Sequence, residues 1–303
     1  MLRFLSKVGL KVEIRPRYFN RKGFYLTFDP DRRQPPSTGR SGPQGHYSYL
    51  TINVFRMKKV LQALLQRLLG FDRYLFFFSQ FKIMTLRWDG QNKEGDFNHF
   101  LTLLTPTDRV LDIGANLGIM TVLMARRCPK GKVYAFEPVQ DNFRTLQKVV
   151  AAHGLSNVEL FPIALGERQG HVQLTMPVLQ GVRMQGLAHV DHQSIEGYEA
   201  EHINYQAELW PLDELPALQG EAIHAVKMDV ENYEQFVLQG GRKLLQAHQP
   251  IIYCELWDNE NRQHCFTLLR SIGYQIHVLE NGQLTPFQPG IHPHHNFFFT
   301  PAS

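Results

Sequence analysis

The run Val110-Leu111-Asp112-Ile113-Gly114-Ala115-Asn116-Leu117-Gly118 decides how the chain is read. A short apolar strand carries an acidic residue near its end, breaks at Gly114, and is followed by an apolar helical stretch over 119–127. That is the first strand, loop and helix of a nucleotide-type α/β site, in which glycines let the backbone approach a ligand more closely than a Cβ would allow. Nineteen residues beyond Gly118 a second apolar run, 133–136, ends in Glu137. A carboxylate at the tip of a second strand is placed to accept hydrogen bonds from both hydroxyls of a ribose.

The loop departs from the dinucleotide fingerprint Gly-x-Gly-x-x-Gly. Asn116 takes the place of the second glycine, the last glycine comes one residue early, and Asp112 precedes the first by two. A carboxylate beside a pyrophosphate repels it. Asp112 instead suits a ligand with positive charge, such as the sulfonium and amino groups of S-adenosylmethionine. A nicotinamide cofactor is the weaker reading for the same reason.

The chain has 303 residues, 43% of them hydrophobic and 20% charged, which is ordinary for a globular protein with a sizeable core. Cys128, Cys254 and Cys265 show no metal or disulfide spacing and read as thiols of a reducing, cytoplasmic compartment. Charge is unevenly spread. Residues 1–60 hold 13 Lys or Arg against 3 Asp or Glu, which leaves −6 for the remainder of a chain whose net charge is +4. The basic segment reads first as a solvated extension, and it is also compatible with peripheral contact with an anionic membrane. No apolar run is long enough to span a bilayer.

Three regions follow. Residues 1–46 form a basic, partly flexible arm with strand-like runs at 12–14 and 24–28 and a Pro/Gly/Ser-rich linker over 29–46. Residues 47–93 hold an amphipathic helix over 52–69, then aromatic segments at 74–78 and 82–88 that read as packing or strand pieces, a candidate lid or substrate element. Residues 94–303 alternate strands and helices, with strands at 109–113, 132–136, 158–163, 225–230, 251–255, 274–279 and 297–300 and helices over 141–152, 233–248 and to about 271. His171 to Met176 alternates as an inserted strand, and Asn281-Gly282 marks a tight turn. The fold class is α/β: a doubly wound, seven-stranded, Rossmann-like sheet with an antiparallel terminal hairpin and an inserted β segment.

In such sheets the ligand sits at the carboxyl ends of the strands. Asp112, Glu137, Asp229 and Glu255 end strands, with Glu231 just beyond. Asp229 or Glu231 is a candidate general base or orienting group for a substrate hydroxyl; the structural alternative is that they cap the following helix. His189-Val190-Asp191-His192 lies in the insert and could reach the crevice, and His292, His294 and His295 read as a surface turn. No metal motif is present in the sequence.

Five segments in order resemble the FkbM-type family of S-adenosylmethionine-dependent methyltransferases. They are Leu111 to Gly118, Ala135-Phe136-Glu137-Pro138, Ile163-Ala164-Leu165-Gly166-Glu167, Pro211 to Leu215, and Lys227-Met228-Asp229-Val230-Glu231. The resemblance covers about residues 94–300. It implies that Asp112, Gly114, Ala115, Asn116 and Gly118 form the methionine-side loop, that Glu137 with Pro138 holds the ribose, and that Ala164 and Leu165 lie near the adenine. It implies O-methylation of a hydroxyl on a sugar, glycan or secondary metabolite. One departure stands out: the family usually has glycine after the fourth-strand glutamate, and here Asn232 follows Glu231. Asparagine tolerates left-handed backbone better than most residues.

Two other functions compete. A nucleic-acid methyltransferase would use the basic arm, but the fourth strand lacks the Asn-Pro-Pro-Tyr or Asp-Pro-Pro-Tyr sequence that base-amino methylation needs. A non-catalytic module would bind S-adenosylmethionine without turnover.

Overall fold

The computed structural model describes residues 25–26, 52–53, 64–86, 95–179, 182–183, 189–190 and 201–302. The chain divides into two compact units, 1–68 and 69–303. In the first, β1 (Tyr25–Leu26) pairs antiparallel with β2 (Ile52–Asn53). The linker and most of the basic arm lie outside the described residues. The helix expected over 52–69 is strand at 52–53 and helical at 64–69.

Early in the second unit Gly70, with a φ of +75°, separates residues 64–69 from α1 (Phe71–Leu86). The aromatic run expected as packing or strand pieces is therefore helical through residue 86. Aromatic side chains favour strands in isolation, but here Tyr74 and Leu75 pack on Leu117, and Ile83 on Val122 and Val149. These contacts bury one side of a helix, and tertiary packing overrides propensity.

The main sheet comprises β3 (Arg109–Ile113), β4 (Lys132–Phe136), β5 (Val158–Phe161), β11 (Ala225–Met228), β12 (Ile251–Glu255), β13 (Tyr274–Glu280), β14 (Gln283–Pro286) and β15 (Asn296–Pro301). Its order is β14-β13-β15-β12-β11-β3-β4-β5. From β5 to β12 the neighbours run parallel; β15 is antiparallel to both β12 and β13, and β14 is antiparallel to β13. The eighth strand, β14, is the return limb of the Asn281-Gly282 hairpin.

Strands buried on both faces read as unbroken apolar runs, and β3 and β4 are buried from their second residue to their last. One face packs Leu111, Ile113, Val226 and Met228 under α5 (Glu234–Gly240), α6 (Arg242–His248) and α7 (Glu260–Ser271). The other packs Val110, Val133 and Ala225 under α2 (Gly95–Leu103) and α3 (Ile119–Arg127), and Ala135 under α4 (Gln140–Ala152). The single helix expected over 233–248 is two, because the chain bends at Gly241.

A second sheet forms the insert. It comprises β6 (Ala164–Leu165), β7 (Gly170–Leu179), β8 (Val182–Arg183), β9 (His189–Val190) and β10 (His202–Trp210). The long pair β7–β10 is antiparallel, and β6 joins β10 in parallel. The expected inserted strand at 171–176 is the middle of β7. Asp141 ties the insert to α4: it accepts from Tyr205 Oη at 2.8 Å and faces Arg183 at 3.4 Å and Arg144.

Candidate active site

The loop after β3 is built on backbone. The amides of Gly114 and Ala115 both donate to the Phe136 carbonyl, at 3.1 and 2.9 Å. Gly114 has φ +75°, and a Cβ there would lie 1.9 Å from the Asp229 carbonyl oxygen; one on Gly118 would lie 2.6 Å from Leu146. In the sequence these glycines read as making room for a ligand. What they admit is the end of β11 and the side of α4. Asn116 takes the left-handed conformation, φ +50°, in place of glycine, and its amide donates to Glu137 Oε2 at 2.8 Å.

Glu137 is 4% exposed. Its Oε1 accepts from the Val139 amide at 2.9 Å and from Asn142 Nδ2 at 3.4 Å. Burial pushes its carboxyl up to about 7 against the lowering effect of those bonds. Three of its four acceptor lone pairs are taken by Asn116, Val139 and Asn142, and the one left on Oε2 can accept a ribose hydroxyl.

Above this loop a pocket open at its mouth lies at the carboxyl ends of β3, β4 and β11. It is the crevice where strand order reverses, the position ligands take in such sheets. Gly114, Asn116, Glu137, Pro138, Ala164, Leu165, Asp229 and Glu231 all line it. These eight predicted residues therefore meet in one cavity.

Asp112, Ala115 and Gly118 do not line it. Ala115 packs against α4. Asp112 is fully buried; its Oδ2 accepts from Thr121 Oγ1 at 2.6 Å and its Oδ1 lies 3.5 Å from Lys227 Nζ. The positive partner expected of a ligand is in this structure a lysine. Burial pushes the Asp112 carboxyl up, with Lys227 and Thr121 opposing. Burial also works against the Lys227 ammonium, but Asp112, Asp229 and Glu137 outweigh it and hold it above its ordinary value. Lys227 Nζ also donates to the Gly114 carbonyl at 2.9 Å, tying the loop to β11. A lysine between apolar residues in a buried strand is the signal that could have singled it out.

Glu231 is pushed up to about 8, by burial first, then by Asp229, Glu255 and Glu234. Glu255 is exposed at the end of β12 and lines no part of the pocket. Leu174 and Val190 from the insert and Tyr233 also face the cavity; of the insert histidine cluster, Asp191 and His192 lie outside the described residues. The inward position of Leu174 follows from the alternation along β7, but which face met the site did not. His292 Nδ1 accepts from the Gln288 amide at 3.0 Å and its Nε2 lies 3.3 Å from Glu280. Among the described residues no helix is long and apolar enough to cross a membrane.

A doubly wound sheet with an antiparallel strand inserted near one edge, and a pocket joining a glycine loop to a strand-tip glutamate, define the Rossmann-like methyltransferase class. Residues 112–276, over half of the chain, match the methyltransferase FkbM domain, and the protein belongs to that family. It is similar to Methyltransferase 1 of Beauveria bassiana (strain ARSEF 2860), 28% identical over 186 residues, 56% of this chain and 73% of that protein. Methyltransferase FkbM from Methylobacillus flagellatus KT superposes with a TM-score of 0.43 at 19% identity, over 65% of this chain and 44% of that one. The chain thus spans less than half of that protein's length. A SAM-dependent O-methyltransferase from Thermotoga maritima gives 0.39 at 13% identity, over 73% of this chain and 71% of that one.

Proposed function

We propose that the protein transfers a methyl group from S-adenosylmethionine to a hydroxyl of a sugar or other small-molecule acceptor. The observation that carries this reading is the meeting, in one pocket, of the Gly114–Asn116 loop, Glu137 and the apolar Ala164–Leu165 wall with two carboxylates, Asp229 and Glu231. The donor set fits the cofactor. Glu137 would hold a ribose hydroxyl through the free lone pair of Oε2, the loop backbone the methionine end, and Ala164, Leu165 and the insert residue Leu174 the adenine face. When bound, the cofactor supplies a methyl group activated by its sulfonium.

The chain's own work is to orient and to move a proton. Asp229 accepts a hydrogen bond from the acceptor hydroxyl and fixes its direction. Glu231, in its deprotonated form, takes the hydroxyl proton as the oxygen attacks, and releases it to solvent afterwards. A base whose pKa stands near neutrality is suited to this, since it is partly free and still basic enough to accept. Holding the oxygen in line with the bond being broken supplies much of the rate. Asn232 adopts the left-handed conformation a glycine would supply (φ +76°), so its presence does not weigh toward a non-catalytic module.

Calorimetric titration with S-adenosylmethionine and, separately, NADH tests the cofactor. Binding of the first alone is expected, followed by tritiated methyl transfer to a panel of sugars and glycans. Binding of NADH alone, or of neither, would overturn the reading.

A further inference from the structure

Glu231 and Asn232 are two consecutive non-glycine residues in the left-handed region, with φ of +51° and +76°. L-residues avoid this conformation unless their surroundings impose it. Against this turn lies Glu234, on the first turn of α5 and 2% exposed. Its Oε1 accepts from the amides of Val230 and Asn232, both at 3.2 Å. The N–H groups on either side of Glu231 thus converge on one carboxylate oxygen. The other oxygen accepts from Asn261 Nδ2 at 2.6 Å, and Asn261 Oδ1 in turn accepts from the Gln235 amide at 3.1 Å. From α7, Asn259 caps the helix through the Arg262 amide and donates from Nδ2 to Asn232 Oδ1 at 2.7 Å. None of these three side chains lines the pocket; Glu231 does.

We propose that Glu234 is a positioning residue: by pinning the amides of Val230 and Asn232, with Asn261 behind it and Asn259 holding the Asn232 side chain, it keeps Glu231 in the turn that places its carboxylate in the pocket wall. The assignment rests on the methyl-transfer reading for its purpose, though not for its geometry. The groups facing Glu231 are Lys227 from β11, Asp229 just past it, Glu255 from β12 and Glu234 from α5. Held among them and buried, its carboxyl stands at about 8; released to water, it returns to the ordinary carboxylate range.

The test needs no acceptor. The full chain, carrying ¹³C-labelled glutamate, is titrated by NMR, and the Glu231 resonance is assigned by its loss in Glu231→Gln. Glu234→Gln and Glu234→Ala remove the same charge, but only glutamine keeps an oxygen that can accept both amides. The raised midpoint of Glu231 is expected to survive in Glu234→Gln and to fall toward the ordinary range in Glu234→Ala. In both, calorimetric affinity for S-adenosylmethionine is expected to stay within about twofold. Equal titration in the two variants would overturn the proposal. So would a loss of cofactor affinity that follows the change in midpoint, since that marks general collapse of the turn. Should Glu234→Ala not fold, Asn261→Ala, which alters no charge and removes the donor to Glu234 Oε2, decides: a lowered midpoint supports the clamp and an unchanged one overturns it. Failure of the unaltered protein to bind S-adenosylmethionine would sink methyl transfer alone, because the titration reads the clamp without cofactor.

Discussion

Lys227 brings a positive charge within reach of three carboxylates, two of them, Asp112 and Glu137, buried. Removing one partner of a buried ion pair leaves the other uncompensated, at a cost of about 3–5 kcal/mol. Lys227→Met should therefore lower the unfolding free energy by about that amount in urea, and adding Asp112→Asn should restore part of it. A double variant no better than the single would mean that the lysine acts through Gly114 alone. Glu137→Ala removes a charged acceptor and should weaken S-adenosylmethionine binding by roughly 1–3 kcal/mol; an unchanged dissociation constant would remove Glu137 from the ribose site. Glu234, Glu137 and Glu231 stand at about 6, about 7 and about 8, all raised mainly by burial from an ordinary 4.5. Over that window the native state holds protons the unfolded chain has released, so these groups make stability fall as pH rises. Lys227, raised rather than lowered, keeps its contribution throughout this window. The melting temperature of the cofactor-free protein should drop less between about pH 5 and about pH 8 in Glu231→Gln than in the unaltered chain, and parallel curves would contradict the assignment.

At the level of elements, close backbone approaches fix how the insert meets the sheet. A Cβ on Gly240, the last residue of α5, would lie 1.8 Å from the Gly166 carbonyl, just past β6. Gly240→Ala should therefore destabilise the protein by about 1–3 kcal/mol or more, read by thermal melting, and an unchanged melting temperature would show that the joint can open. Asp141 holds the insert from the other side through Tyr205 and Arg183. In Asp141→Ala, amide hydrogen exchange should quicken along β10 and remain slow in β3 and β4; uniform quickening would show that the insert and main sheet unfold together. Strands β3, β4 and β12 were legible to within a residue, because a strand buried on both faces is an apolar run ending in a polar residue. The loop, Glu137 and the pocket carboxylates were legible for the same reason, being the polar ends of such runs. Helix α1 was not, since its aromatic residues have strand propensity and only α3 and α4 decide otherwise. Nor was the clamp on Glu231: Glu234 reads as a routine first-turn acid, and its partner Asn261 arrives from another helix 27 residues later.

Across the molecule, charge and chemistry are divided. The basic excess sits in the first 60 residues, whereas every residue lining the pocket falls between Ile113 and Tyr233. Deleting residues 1–46 should leave the dissociation constant for S-adenosylmethionine within about twofold; a larger loss would assign the arm a part in the site. The sheet is not assembled in chain order. β15 lies between β12 and β13, pairing Cys254 with Phe297 and Ile276 with Phe299. A ribosome thus releases β12 and β13 well before the strand that joins them, and until residues 296–301 emerge each keeps an unpaired edge exposed. Such edges recruit other strands. A message truncated, or a ribosome stalled, shortly before that point would yield a chain with the whole pocket encoded and the sheet still in two pieces.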